Sequence, residues 1–176
     1  MPPLPLRHRR LASAVIVAAG AFASVATTMV EWVRTDDVII PPVHLDSAQP
    51  VIEYHLRAKA EGPVTDSRAV LTVTLDHAVT NGAVRATLSG PDGLDRQEVV
   101  VNPIAAEPIY FEITPWSQCP TTSCQLEVTL RLELTSPPDV VATADLEGRA
   151  ELNVSAPGEE PAGVQVDLDV VDEVIP

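Results

Sequence analysis

The local signatures of most enzyme classes are missing from this chain. It contains no G-x-S-x-G, no H-E-x-x-H, no Walker loop and no dinucleotide-binding glycine fingerprint. Those absences remove the usual sequence marks of serine hydrolases, zinc proteases, nucleoside triphosphatases and nicotinamide enzymes. Aromatic residues are scarce, with only Trp32, Tyr54, Tyr110, Phe111 and Trp116 after residue 30. Sugar recognition by ring stacking therefore has little to work with. Basic residues are scarce as well. Three of the eleven Lys and Arg residues are Arg7, Arg9 and Arg10, and no acid precedes residue 31, which leaves eight bases against twenty-five acids, a formal charge of −17. Such a surface repels phosphate backbones and anionic headgroups, so nucleic-acid binding is excluded. The cysteines number two, Cys119 and Cys124. A zinc site would need two further ligands, and no histidine lies near them.

What the chain does contain begins with a leader. Arg7-His8-Arg9-Arg10 is followed by the apolar run 11–20 and by Ala21-Phe22-Ala23. Basic n-region, hydrophobic h-region and small-x-small site are the parts of a signal peptide over 1–23. The competing reading is an uncleaved membrane anchor, because 11–30 carries no charge over twenty residues, just enough for a helix to span a bilayer. Both readings keep the positive end inside and send the rest of the chain across, to a secreted, periplasmic or cell-surface location. Cys119 and Cys124 enclose Pro-Thr-Thr-Ser, and in an oxidising compartment they are expected to form a structural disulfide. Residues 24–50, with Asp36-Asp37 and Pro41-Pro42, read as a tether in which Val38-Ile39-Ile40 adds at most a short edge strand.

From residue 51 onward the hydrophobic period is two. Ile52, Tyr54, Leu56 and Ala58 alternate with polar neighbours, as do Ala69, Leu71, Val73 and Leu75. Asn81-Gly82 is a hairpin signal, since both turn positions favour a positive φ. Val84, Ala86 and Leu88 supply the return strand, and Ile109, Phe111 and Ile113 another. The longest alternation places Leu126, Val128, Leu130, Leu132 and Leu134 on one face. A helix would scatter these side chains around its circumference. A further strand starts over Val140 to Ala144 and bends or continues through Gly148 to Ala150, Leu152 and Val154, and Val164 to Val170 closes the series. About eight strands, each with one wet face, predict an antiparallel β-sandwich over 51–176, roughly immunoglobulin-like in type, behind the leader helix.

Candidate chemistry is thin. Asp167, Asp169, Asp172 and Glu173 are the densest acid cluster and the only calcium candidates of note, with Asp92 and Asp95 flanking Gly93. Calcium needs six or more oxygens from a folded loop, and the simpler reading is a charged face that solubilises an edge strand. Among the histidines, His44 falls in the tether, His55 faces water beside Glu53 and Arg57, and Asp76-His77 are strand neighbours whose side chains point to opposite faces. Tyr110 and Trp116 form a possible contact patch near the disulfide loop, unless Trp116 packs on the bridge and caps the core. The sequence thus leads to an exported, non-enzymatic module that binds a protein partner or serves a surface or periplasmic assembly, with 116–124 as the contact region and no cofactor. A calcium-dependent adhesion or stalk domain is the alternative, and an enzyme of unrecognised type comes third.

Overall fold

The computed structural model describes residues 31–91 and 96–174, with side chains as far as Val171. The leader, its helix and Asp92 and Asp95 lie outside these residues. Among the described residues nine strands are formed: β1 Glu31–Leu45, β2 Val51–Glu61, β3 Arg68–Thr80, β4 Ala83–Ser89, β5 Gln97–Val101, β6 Ile109–Trp116, β7 Ser123–Thr135, β8 Thr143–Pro157 and β9 Gln165–Val174. They make two sheets, ordered β1-β8-β3-β6 and β5-β4-β7-β2-β9.

The alternation read from the sequence sets the core. On β2, Ile52, Tyr54, Leu56, Ala58 and Ala60 are all buried, and so are Ala69 to Leu75 on β3 and Val128 to Leu134 on β7, each at every second position. The two inner faces pack on one another, as period-two strands with one apolar side must. Tyr54, the one large polar-tipped side chain among the most deeply buried, donates from its hydroxyl to the Pro41 carbonyl at 3.0 Å.

The sandwich is correct, and its connectivity is not that of an immunoglobulin domain. Four antiparallel pairings are nested: β1 with β8, β2 with β7, β3 with β6 and β4 with β5. Folding that long double strand over on itself adds β8 to β3 and β7 to β4. The outcome is a double Greek key, the jelly-roll arrangement. An immunoglobulin sandwich would instead place strands 1, 2, 5 and 4 together. Strand β9 then adds to the free side of β2.

The segment read as a tether is largely strand β1, paired with β8 from Glu31 to Leu45. Its period is hidden by a register shift between Ile40 and Val43. Trp32 and Ile40 are buried on even positions, and Leu45 is buried on an odd one. The bulge contains Pro41-Pro42, which have no N–H to give a ladder.

One side chain bridges the two sheets at each open side of the sandwich. The Leu168 N–H donates to Asp36 Oδ2 at 2.8 Å, joining β9 to β1. Gln97 donates to the Glu112 carbonyl and accepts from the Glu112 N–H, joining β5 to β6. Exposed edge groups are thereby satisfied, which blunts edge-to-edge pairing.

Candidate functional site

Nested pairing sorts the connections by end. Loops 46–50, 81–82, 102–108 and 136–142 emerge together at one end, since Leu45 lies opposite Ala144, Thr80 opposite Thr143, Ala83 opposite Thr135 and Val101 opposite Val84. The disulfide loop, 62–67 and 158–164 emerge at the other.

The disulfide end is braced. Cys119 and Cys124 are bridged, and closing so short a loop is worth about 2 kcal/mol on the chain-entropy model. Three backbone hydrogen bonds clamp this loop to its neighbour: Cys119 N–H to the Ser67 carbonyl, Asp66 N–H to the Cys119 carbonyl and Gly62 N–H to the Thr122 carbonyl. Of the two readings of Tyr110 and Trp116, a shared contact patch or a Trp116 packed on the core, the patch is not assembled. Six residues of strand separate them by about 20 Å. A register shift opposite Ala69 and Leu71 also sets Trp116 beside the buried Ala69. Trp116 thus packs against the core, while Tyr110 stands out from β6 and hydrogen-bonds Glu112.

The opposite end carries exposed apolar side chains on rigid turns. Ile104 is 91% exposed and Val141 79%, with Val140 beside it. Ile104 sits in a turn closed by the Ala105 N–H on the Asn102 carbonyl, with Pro103 before it. The Asn102 side chain accepts from the Ile104 N–H at 3.0 Å. Val140 closes a second turn on the Pro137 carbonyl, with Pro138 and Asp139 inside it. Asp139 takes a φ of 64°, as the third residue of a type II turn does after proline. Next to it lies an open hollow of about 540 Å³, lined by Val140, Pro137, Ala83 and the Asn81-Gly82 turn. The four loops hold Asp46, Glu107 and Asp139 and no Lys or Arg. Strand assignment from sequence had placed Val140 and Val141 in β8. The strand starts at Thr143, because Pro137-Pro138 and the left-handed Asp139 hold the chain in a turn.

Around the corner, on the outer face of the four-stranded sheet, a second open hollow of about 540 Å³ gathers titratable groups: His44, Asp76, His77, Asp145 and Glu147. His44 belongs to β1 and Asp145 to β8. Their register brings Nδ1 within 2.7 Å of Oδ1. The hydrogen bond to Asp145 raises the His44 pKa above 6.5, helped by the charges of Asp145 and Asp46. Asp46 is itself held low by the N–H groups of Gln49 and Ala48. His77 is directed elsewhere, with Nε2 at 3.0 Å from the Glu107 carbonyl. The lining contains no hydroxyl or thiol to act as a nucleophile.

The His44 shift has a defined sign. A raised folded-state pKa means that the protonated pair stabilises the fold below about pH 6.5, and that this contribution is lost as pH rises through the folded value. Titration of His44 by NMR is expected to give a midpoint above 6.5, and Asp145→Asn is expected to lower it. An unchanged midpoint in that variant would show that the pair is not formed in solution.

The calcium candidates fall on β9. Asp167 and Asp169 are exposed and lie opposite Lys59 and Arg57 of β2. Those two cations pair instead with Glu61 at 3.0 Å and Glu127 at 2.8 Å, and among the described residues no group of three or more His, Cys, Asp or Glu side chains is placed to hold a metal ion. Asp172 and Glu173 are in the same strand, and only their backbone is described.

No protein-family model matches the chain, and no curated protein matches it. Among solved structures, a likeness is found to the structure of the infectious bursal disease virus Gx strain, at 15% identity and a TM-score of 0.40. It covers 81% of this chain and 37% of that one. A likeness at that level adds nothing to the strand order described above.

Proposed function

We propose that the protein is an exported, non-enzymatic binding module that docks a protein partner through the loop end opposite the disulfide. Three of the seven exposed large hydrophobic residues among the described ones, Ile104, Val140 and Val141, lie on the loops of that end. That observation carries the reading. Exposed apolar groups gathered on one surface mark an interaction site. Proline and hydrogen-bonded turns hold these groups in place, so little entropy is lost on docking. Fully burying each Ile or Val side chain contributes about 1.5–3 kcal/mol before the cost of association.

The partner's chemistry follows from the rim. Asp46, Glu107 and Asp139 lie on the same four loops as the apolar tips, and those loops hold no Lys or Arg, so the complementary surface is apolar at its centre and carries Lys or Arg around it. Anionic lipid is disfavoured by the same charges. Export is supported by the leader's sequence pattern and by the disulfide. Among the described residues no helix is long and apolar enough to cross a membrane.

Site-specific photo-crosslinking in the native host tests the reading. A crosslinker at Val141 is expected to give one discrete protein adduct, lost on Ile104→Glu. The same group at Thr121, on the disulfide loop, is expected to give none. A discrete adduct at Thr121 and none at Val141 would move the contact region to the other end of the sandwich.

A further inference from the structure

The outer face of the five-stranded sheet is not a uniform lattice of ion pairs. Its cross-strand rows can be read from the register of β4, β7 and β2. One row is Ser89, Thr129 and His55; the next is Thr87, Arg131 and Glu53; the third is Arg85, Glu133 and Val51. On the other side of the first row, Glu127 lies opposite Arg57. Short hydroxyl side chains in the first row are therefore flanked by long charged ones on both sides. Side chains on one face of a sheet stand at different heights above it, so this order of lengths makes a trough that crosses the strands.

Two adjoining hollows bear this out, of about 300 and about 600 Å³, and both are lined by Ser89 and Thr129. The smaller reaches Thr87, which is 7% exposed although it belongs to the solvent side of the sheet. The larger reaches His55, Leu126 and Pro91. Thr129 Oγ1 lies 3.3 Å from His55 Nδ1.

Three guanidinium groups converge here in a chain of net charge −14. Each has a carboxylate partner. Arg131 pairs with Glu53 and lies 3.7 Å from Glu133. Arg96 is 2.9 Å from Glu98, and Arg85 is 3.4 Å from Glu98 and 4.0 Å from Glu133. With Arg57 and Glu127 of the far flank, 2.8 Å apart, four cations stand against four anions and leave the trough neutral, while most of the surface is acidic. A neutral floor of hydroxyls offers donors and acceptors side by side, and each guanidinium has five N–H groups, more than its carboxylate contacts use.

From this geometry we infer a second binding site, independent of the loop end, for an uncharged polyhydroxylated ligand: a neutral saccharide lying across β4, β7 and β2. Vicinal hydroxyls accept from Arg and donate to Glu, Thr and Ser, and Pro91 gives an apolar contact at one end of the trough. The balanced charge argues against an ion as the ligand, since any net charge brought in would be left uncompensated.

The test uses the purified chain, labelled with ¹⁵N, and neutral hexasaccharides of glucose in α and β linkage and of mannose, with trigalacturonate as the anionic comparison. At millimolar concentration, at least one neutral oligosaccharide is expected to shift amide signals of β4, β7 and β2, and to weaken at least tenfold with Thr129→Val or Thr87→Val. Both variants conserve shape, and an unchanged thermal midpoint would show that each is folded. Absence of shifts with every neutral probe, shifts with trigalacturonate alone, or affinity unchanged in both folded variants would overturn the inference.

Discussion

Leu130→Ala is expected to destabilise the protein by about 2–5 kcal/mol, the range for a leucine cavity in a packed core. Leu130 is fully buried at the middle of β7, between Tyr54 of β2 and Leu88 of β4. Its neighbours on the same face, Val128 and Leu132, are buried too. Strands on both sides fix the backbone, so the cavity has little room to collapse. Domains of this kind are stable by about 5–15 kcal/mol in total, and a loss of this size is a large part of that. Arg131→Ala, one residue on, is expected to cost less than about 1 kcal/mol. The Arg131 side chain is 41% exposed and its pairs with Glu53 and Glu133 are screened by water. Urea melts of the two variants measure the contrast. Equal costs would mean that both faces of β7 are buried, which would contradict a two-sheet sandwich.

Gly148→Ala is expected to cost at least about 2 kcal/mol, at the upper part of the range for overpacking. Gly148 lies in β8, between Ile40 of β1 and Leu75 of β3. A Cβ built there would stand 2.2 Å from the Thr74 carbonyl oxygen and 3.0 Å from the Leu75 Cα. Those are backbone atoms and cannot swing aside as the end of a side chain would. The whole strand pairing must open, and β1 and β3 are both attached to it. Space is the reason here, since Gly148 does not take a positive φ. Thermal melts read the effect. A midpoint equal to that of the parent protein would mean that β8 does not approach β3 as closely as described.

Where period two was uninterrupted, the strands and their buried faces were legible. Ile52 to Ala60 and Val128 to Leu134 need nothing beyond the alternation of their own residues. Three features broke the pattern. At Pro41-Pro42 the bulge of β1 moves the buried side chains from even to odd positions, so that a fifteen-residue strand resembles a linker. Before Trp116 a second irregularity sets the ring on the core side, whereas uninterrupted alternation would have left it on the same face as Tyr110. At Val140-Val141 two β-branched residues look like a strand and are held in a turn by their neighbours.

Strand order was not legible in local pattern at all. Nested pairing joins residues far apart in the chain, such as Glu31 and Pro157, and nothing in either strand names its partner. For the same reason His44 and Asp145, 101 residues apart, could not be matched before the register was known. The loop end was hidden likewise. Its four segments are short and ordinary one by one, and they become a surface only because nesting gathers them.

Pairing of β1 with β8 is the outermost of the nested set, and the end-to-end sorting of the loops depends on it. Native-state hydrogen exchange over Glu31–Leu45 tests it most directly. The account predicts alternation, with every second amide from Val33 to Ile40 protected by its bond to β8 and the others exchanging faster, because β1 lies at the edge of its sheet. Uniformly fast exchange from 31 to 45 would contradict it, leaving that segment a tether and the loop end without one of its four loops.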